Sequence, residues 1–125
     1  MILIKKIAIS LLALISASEA QAEWKEADYI NHYCKGEIEY VLPDLTRIDC
    51  LTANHAIEYD FGHKWAEAIG QSIYYSSQTG RKAGIVLIVD ERTKHRYLKR
   101  LTAAIDAAKL DIDVVTIPTK PNVEE

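Results

Sequence analysis

Apolar and polar positions change period several times along this chain, and each change marks an element. In WKEADYINHYCK, residues 24–35, Trp24, Ala27, Ile30 and Cys34 recur at a spacing of about 3.6, which predicts a helix ended by Gly36. In EIEYVL the period drops to two, with Ile38, Tyr40 and Leu42 on one face and Glu37, Glu39 and Val41 on the other. Pro43-Asp44 makes a turn. TRIDCL follows as a second strand, with Ile48 and Cys50 on one side and Arg47, Asp49 and Leu51 on the other. The polar TANH leads to a third strand, AIEYDF, with Ile57, Tyr59 and Phe61 opposed to Ala56, Glu58 and Asp60. Three short alternating strands joined by turns predict an antiparallel meander.

Gly62 breaks the alternation. Residues 63–78, HKWAEAIGQSIYYSSQ, carry Trp65, Ala68, Ile69, Ser72 and Ile73 on one helical stripe, and Thr79-Gly80 stops it. GIVLIVD, residues 84–90, is an unbroken apolar run suited to a central strand covered on both faces. Residues 91–109 read as an amphipathic helix through Tyr97, Leu98, Leu101, Ile105 and Ala108. DIDVVTI, 111–117, is a last short strand before a polar tail. A helix between two buried strands implies a parallel crossover. The expected class is therefore α/β or α+β, a mixed sheet flanked by helices on both faces, in one domain over residues 23–125.

The first 22 residues stand apart. Lys5 and Lys6 precede the apolar run Ile7 to Ile15, and Ala20-Gln21-Ala22 forms a small-x-small cleavage site, the order of a secretory signal peptide. The apolar run is shorter than the roughly 20 residues of a spanning helix, which argues against a membrane anchor. Bacterial export to the periplasm or the medium is the expectation, with no membrane attachment after cleavage. In such a compartment the two cysteines, Cys34 and Cys50, can pair, the alternative being two free buried thiols.

Charge narrows the function classes. Removing Lys5, Lys6 and Glu19 from 15 basic and 18 acidic residues leaves 13 and 17. That balance differs from the basic one of a typical nucleic-acid binder, though Arg92, Lys94, His95, Arg96, Lys99 and Arg100 form a local basic group. The four histidines are scattered and form no compact zinc spacing with the cysteines.

The chemistry-bearing residues lie on the meander. Asp49 and Glu58 occupy adjacent strands on the same face, with Asp60 two residues beyond Glu58. Neighbouring carboxylates raise each other's proton affinity unless a cation intervenes, and oxygen-only ligands suit Mg²⁺. The alternative is a solvated outer face balanced by Arg47.

The order helix, three-strand meander, helix, strand, with these acids, resembles the core of the PD-(D/E)XK nuclease superfamily, the restriction-endonuclease-like fold of Holliday-junction resolvases and RecB-like nucleases. Asp49 is similar to the family's leading Asp, Glu58 to the acid of its E-x-K element, and Gln71 with Tyr75 to the Q-x-x-x-Y signature of RecB-like members. Asp60 stands where the E-x-K lysine belongs, and Lys64 is the candidate for a migrated lysine. The resemblance covers about residues 25 to 90. It implies an αβββαβ core and metal-dependent phosphodiester hydrolysis. The implied catalytic set is Asp49, Glu58, Lys64 and Gln71. Asp49, Glu58 and Asp60 would ligate Mg²⁺ or Mn²⁺, Glu37 or Glu39 would supply an additional acid, and Arg47, His55 and Tyr75 would contact substrate. The implied partner is nucleic acid, DNA ahead of RNA, and a homodimer is left open. The alternative is a catalytically inactive periplasmic binding or accessory module on the same scaffold.

Overall fold

The computed structural model describes residues 23–119; the expected signal peptide, residues 1–22, and the end of the tail, 120–125, lie outside the described residues. In chain order the elements are α1 (Glu26–Tyr33), β1 (Glu37–Val41), β2 (Arg47–Leu51), β3 (His55–Phe61), a 3-10 turn (Gly62–Lys64), α2 (Trp65–Thr79), β4 (Lys82–Val89), α3 (Lys94–Ala108) and β5 (Ile112–Pro118). The five strands form one mixed sheet in sequential order. β1, β2 and β3 are the antiparallel meander; β3, β4 and β5 run parallel, joined by α2 and α3. The fold is therefore mixed α/β, a sheet between two helical layers.

Side-chain alternation sorts the core into those layers. Cys50, Tyr59, Val86, Ile88 and Ile117 point to the α1 side, where Tyr29 and Ile30 cover them. Ile85, Leu87 and Val89 point the other way, onto Ala68 of α2 and Leu101 and Ile105 of α3. β4 is buried on both faces from Ala83 to Val89, as its unbroken apolar sequence predicts.

The element ends differ from the sequence pattern where polar groups intervene. The first helix starts at Glu26, not at residue 24, because the Lys25 N–H is held by the Asp28 carboxylate at 2.8 Å. It stops at Tyr33 because Cys34 turns to the sheet and bonds Cys50, with Sγ atoms 2.01 Å and Cα atoms 5.8 Å apart. The bridge fastens α1 to β2, a cross-link worth about 3 kcal/mol for a loop of this size. α3 begins at Lys94, three residues later than its pattern, because the Asp90 carboxylate accepts both the N–H and the hydroxyl of Thr93 and holds a turn there. β4 begins at Lys82, whose N–H donates to the Asn54 carbonyl and so extends the pairing with β3.

Candidate functional site

β2 and β3 pair only at Cys50–Ile57 and Leu51–Ala56. Beyond that point a side chain replaces the ladder: Asp49 Oδ2 accepts the backbone N–H of Tyr59 at 2.8 Å. The bond fixes the Asp49 carboxylate against β3. Glu58, the residue before Tyr59, faces the same carboxylate, and the interaction raises the proton affinity of Glu58 while favouring the ionised form of Asp49. The closeness of Asp49 and Glu58 expected from their shared face is thus what the fold brings about.

Both acids of β3 are inside the protein. Glu58 is 5 % exposed and Asp60 4 %, and Glu58 Oε2 and Asp60 Oδ2 have no hydrogen-bond partner among the described residues. Burial of a carboxylate without a partner favours its neutral form. Accordingly Glu58 is pushed up to about 10, first by desolvation, then by the charges of Asp49 and Asp60. Asp60 is pushed up to about 7 by desolvation and by the charges of Glu26, Glu67 and Asp49, with Lys64 opposing. Asp49 is also raised by burial, but the Tyr59 N–H and the Glu58 hydrogen bond favour its ionised form.

Two members of this cluster were passed over by the sequence reading. Glu26, in the first turn of α1, is half-buried, and its affinity for a proton is raised by desolvation and by Asp49 and Glu67, against Lys64. Glu67, in the first turn of α2, is exposed and acts on both Asp60 and Glu26. Each looks in sequence like an ordinary acid at a helix N-terminus. The one available signal was position: Glu67 follows Lys64 by three residues, one helical turn.

Lys64 ends the 3-10 turn, exposed, and its charge reaches both Asp60 and Glu26. Tyr75 is buried with Leu42, Ile48, Leu51 and Ala56, and its hydroxyl is pushed up to about 12, by burial and then by Glu58 and Asp49. That places its α2 stripe over the acid pair. Gln71 lies on the same stripe, half-buried, four residues from both Glu67 and Tyr75.

The remaining expected site residues lie around or away from the acids. His55 does not join the acids: side chains alternate along β3, and the register that sets His55 beside Lys82 and Asp113 near Gly84 gathers them into an ion-paired group. His55 Nε2 lies 2.7 Å from Asp113 Oδ2, and Lys82 Nζ lies 2.9 Å from Asp113 Oδ1. Glu37 stays exposed opposite Leu51, whereas Glu26 is half-buried beside Asp49. Arg47 and Glu39 face each other at the rim, 3.8 Å apart and both largely exposed, where Glu39 raises and Arg47 lowers the proton affinity of Asp49.

No group of three or more His, Cys, Asp or Glu among the described residues is gathered tightly enough to hold a metal ion as it stands. The donor chemistry nevertheless fits a hard cation: carboxylate oxygens only, two of them buried and unpartnered. Comparison with protein-family models, with curated proteins and with solved structures gives no match to this chain. Among the described residues no helix is long and apolar enough to cross a membrane. The Cys34–Cys50 bond is compatible with an oxidising, extracytoplasmic compartment.

Proposed function

We propose that this chain is an exported, periplasmic or secreted, metal-dependent nuclease of the restriction-endonuclease-like class, hydrolysing phosphodiester bonds of DNA. The observation that carries the reading is the pair of buried, unpartnered oxygens, Glu58 Oε2 and Asp60 Oδ2, set beside Asp49. A purely structural site would not bury two carboxyl groups without donors, since each such group costs stability. Asp49, Glu58 and Asp60, with Glu26 beside them, are the residues to hold Mg²⁺ or Mn²⁺. Such an ion, when bound, neutralises charge on a phosphodiester and makes a bound water more acidic.

The chain's own residues supply the rest. Glu58 must release its proton before both acids can act as ligands. Asp49 keeps its place through the Tyr59 N–H whatever the state of Glu58. Lys64 brings an ammonium to the open side of the cluster, where it stabilises negative charge developing on phosphate. Gln71 positions a phosphate oxygen from α2, and Tyr75 closes the apolar floor. Incubation of linear DNA, single-stranded DNA and RNA with Mg²⁺ or Mn²⁺ tests this. Cleavage should occur in the wild type and fall at least about a hundredfold in Asp49→Asn and Lys64→Ala. Absence of cleavage on every substrate with either metal overturns the enzymatic reading.

One observation favours the alternative of a non-catalytic binding module. Asp60 occupies the position that the resemblance assigns to lysine, and Lys64 is exposed, with no ion pair within 4.0 Å among the described residues. In that case Lys64→Ala leaves metal binding and DNA binding intact and there is no activity to lose.

A further inference from the structure

The first half of α3 is the most basic stretch of an acidic chain. Arg92, Lys94, Arg96, Lys99 and Arg100 fall within residues 92–100, and no acid occurs between Glu91 and Asp106. None of the five forms an ion pair within 4.0 Å among the described residues. Arg92 acts on the neighbouring Asp90 and lowers its proton affinity; surface cations without a paired carboxylate in a protein rich in carboxylates are free to meet an external anion.

Two of them, Arg96 and Arg100, stand over one aromatic ring. The Arg96 guanidinium stands 4.8 Å from the centroid of Tyr97 and that of Arg100 6.0 Å, and Arg96 Nη2 donates to the Tyr97 hydroxyl at 3.3 Å. The Tyr97 ring in turn rests on Gly62, where a Cβ would come within 2.6 Å of Tyr97 Cδ2. Gly62 is two residues from Asp60 and two from Lys64. The ring that backs Arg96 and Arg100 is therefore seated at the C-terminal end of β3, the strand that carries Glu58 and Asp60.

We propose that this face of α3 is a phosphate track for a DNA strand, with Arg96 and Arg100 as its contacts backed by the Tyr97 ring. The proposal rests on the nuclease reading and deepens it. A cluster of carboxylates repels a polyanion, so a strand can approach only beside a compensating cation row. Guanidinium suits the task, since its planar fork matches phosphate oxygens and an aromatic ring pre-orders it. Sequence specificity is not expected from such contacts.

The test is binding without cleavage: fluorescence anisotropy of a labelled DNA strand and its duplex, in EDTA, over a series of NaCl concentrations. The wild type should bind with a steep salt dependence. Arg96→Gln/Arg100→Gln should weaken binding roughly tenfold or more and flatten the log–log salt slope by about 2. Lys35→Gln, on the exposed turn after α1, should change neither. Unchanged melting temperatures establish that the variants fold, and Arg92→Gln/Lys99→Gln should repeat the effect without touching the Tyr97 stack. Wild-type protein that binds no DNA in EDTA, or an unchanged slope in both double variants, overturns the proposal. So does a loss of binding to phosphatidylglycerol vesicles with DNA binding intact, which would assign the face to a lipid surface. Binding through α3 without cleavage in Mg²⁺ or Mn²⁺ sinks the nuclease reading but sustains the track. Cleavage indifferent to Arg96 and Arg100 does the reverse.

Discussion

Asp49 Oδ2 and the backbone N–H of Tyr59 are hydrogen-bonded at 2.8 Å, a side chain doing the work of a strand carbonyl where β2 and β3 part. This separates the chemical and the structural roles of Asp49. Asp49→Asn keeps an acceptor for Tyr59 and should fold with near-native stability. Asp49→Ala leaves the N–H unpaired and should lose about 1–3 kcal/mol. Urea denaturation of the two variants measures the difference; equal stability would show that the bond contributes nothing to the fold.

Metal-free stability should fall as pH rises. Glu58 and Asp60 are raised from ordinary values of 4.5 and 3.8 to about 10 and about 7. The folded protein therefore keeps protons that the unfolded chain has released. The stabilisation they give is fully present below the unfolded values and is lost as pH climbs through the folded ones. The melting temperature in EDTA should decline from about pH 5 to about pH 9, and Glu58→Gln should flatten that decline. A melting temperature that rises over this range contradicts the proton assignment.

Divalent cations should reverse the trend. An ion that binds only the folded state stabilises it in proportion to the logarithm of its concentration over Kd. Mg²⁺ or Mn²⁺ at about 100 times Kd should add about 2.7 kcal/mol, most visibly at alkaline pH where the acids have lost their protons. Glu58→Gln and Asp60→Asn should blunt the shift. A thermal melt indifferent to both ions removes the metal from the account.

Gly62→Ala should be costly although the position is a simple turn. The new methyl group would meet Tyr97 Cδ2 at 2.6 Å and Val89 Cγ1 at 2.7 Å, so α3 must move from the 3-10 turn. Overpacking of this kind costs about 1–3 kcal/mol. Combining it with Tyr97→Ala should recover part of the loss, and a double-mutant cycle of thermal melts reads the coupling.

Reduction of the Cys34–Cys50 bond should lower stability by about 2–4 kcal/mol. Cys34→Ser/Cys50→Ser should show the same loss and no further response to dithiothreitol. A reduced protein as stable as the oxidised one would mean that packing of Tyr29 and Ile30 alone holds α1 on the sheet.

The layers of the fold were legible because hydrophobic period and burial coincide. β4 needs two apolar faces and has them; β3 alternates in sequence, yet the face carrying Ala56, Glu58 and Asp60 is the more deeply buried. The Asp49–Glu58 pairing was legible for the same reason, since alternation sets both on one face. Glu26 and Glu67 were not legible, because an acid in a first turn has a sufficient local explanation and only tertiary folding brings α1 and α2 together around β3. The contact of His55 with Asp113 has no local signature, because Asp113 is 58 residues away on a strand whose register no local pattern reveals. Burial of Asp60 and Glu58 ran against their polarity, and such conflicts between local rule and final position concentrate at functional sites.

The change of strand sense at β3 has a kinetic consequence. On one side of β3 the connections are short turns, Leu42–Thr46 and Thr52–Asn54; on the other, pairing with β4 must wait for the whole of α2 to be spanned. Loop-closure entropy favours the short connections, so the hairpins form ahead of the parallel half. Asp49 and Glu58 then meet while still open to water, each able to keep its charge. Dehydration arrives afterwards, with α2 and Tyr75, as a separate and later event. Chain entropy therefore favours assembling the acids before they are enclosed, and under the proposed function the interval between the two steps is when a cation would enter with the least resistance.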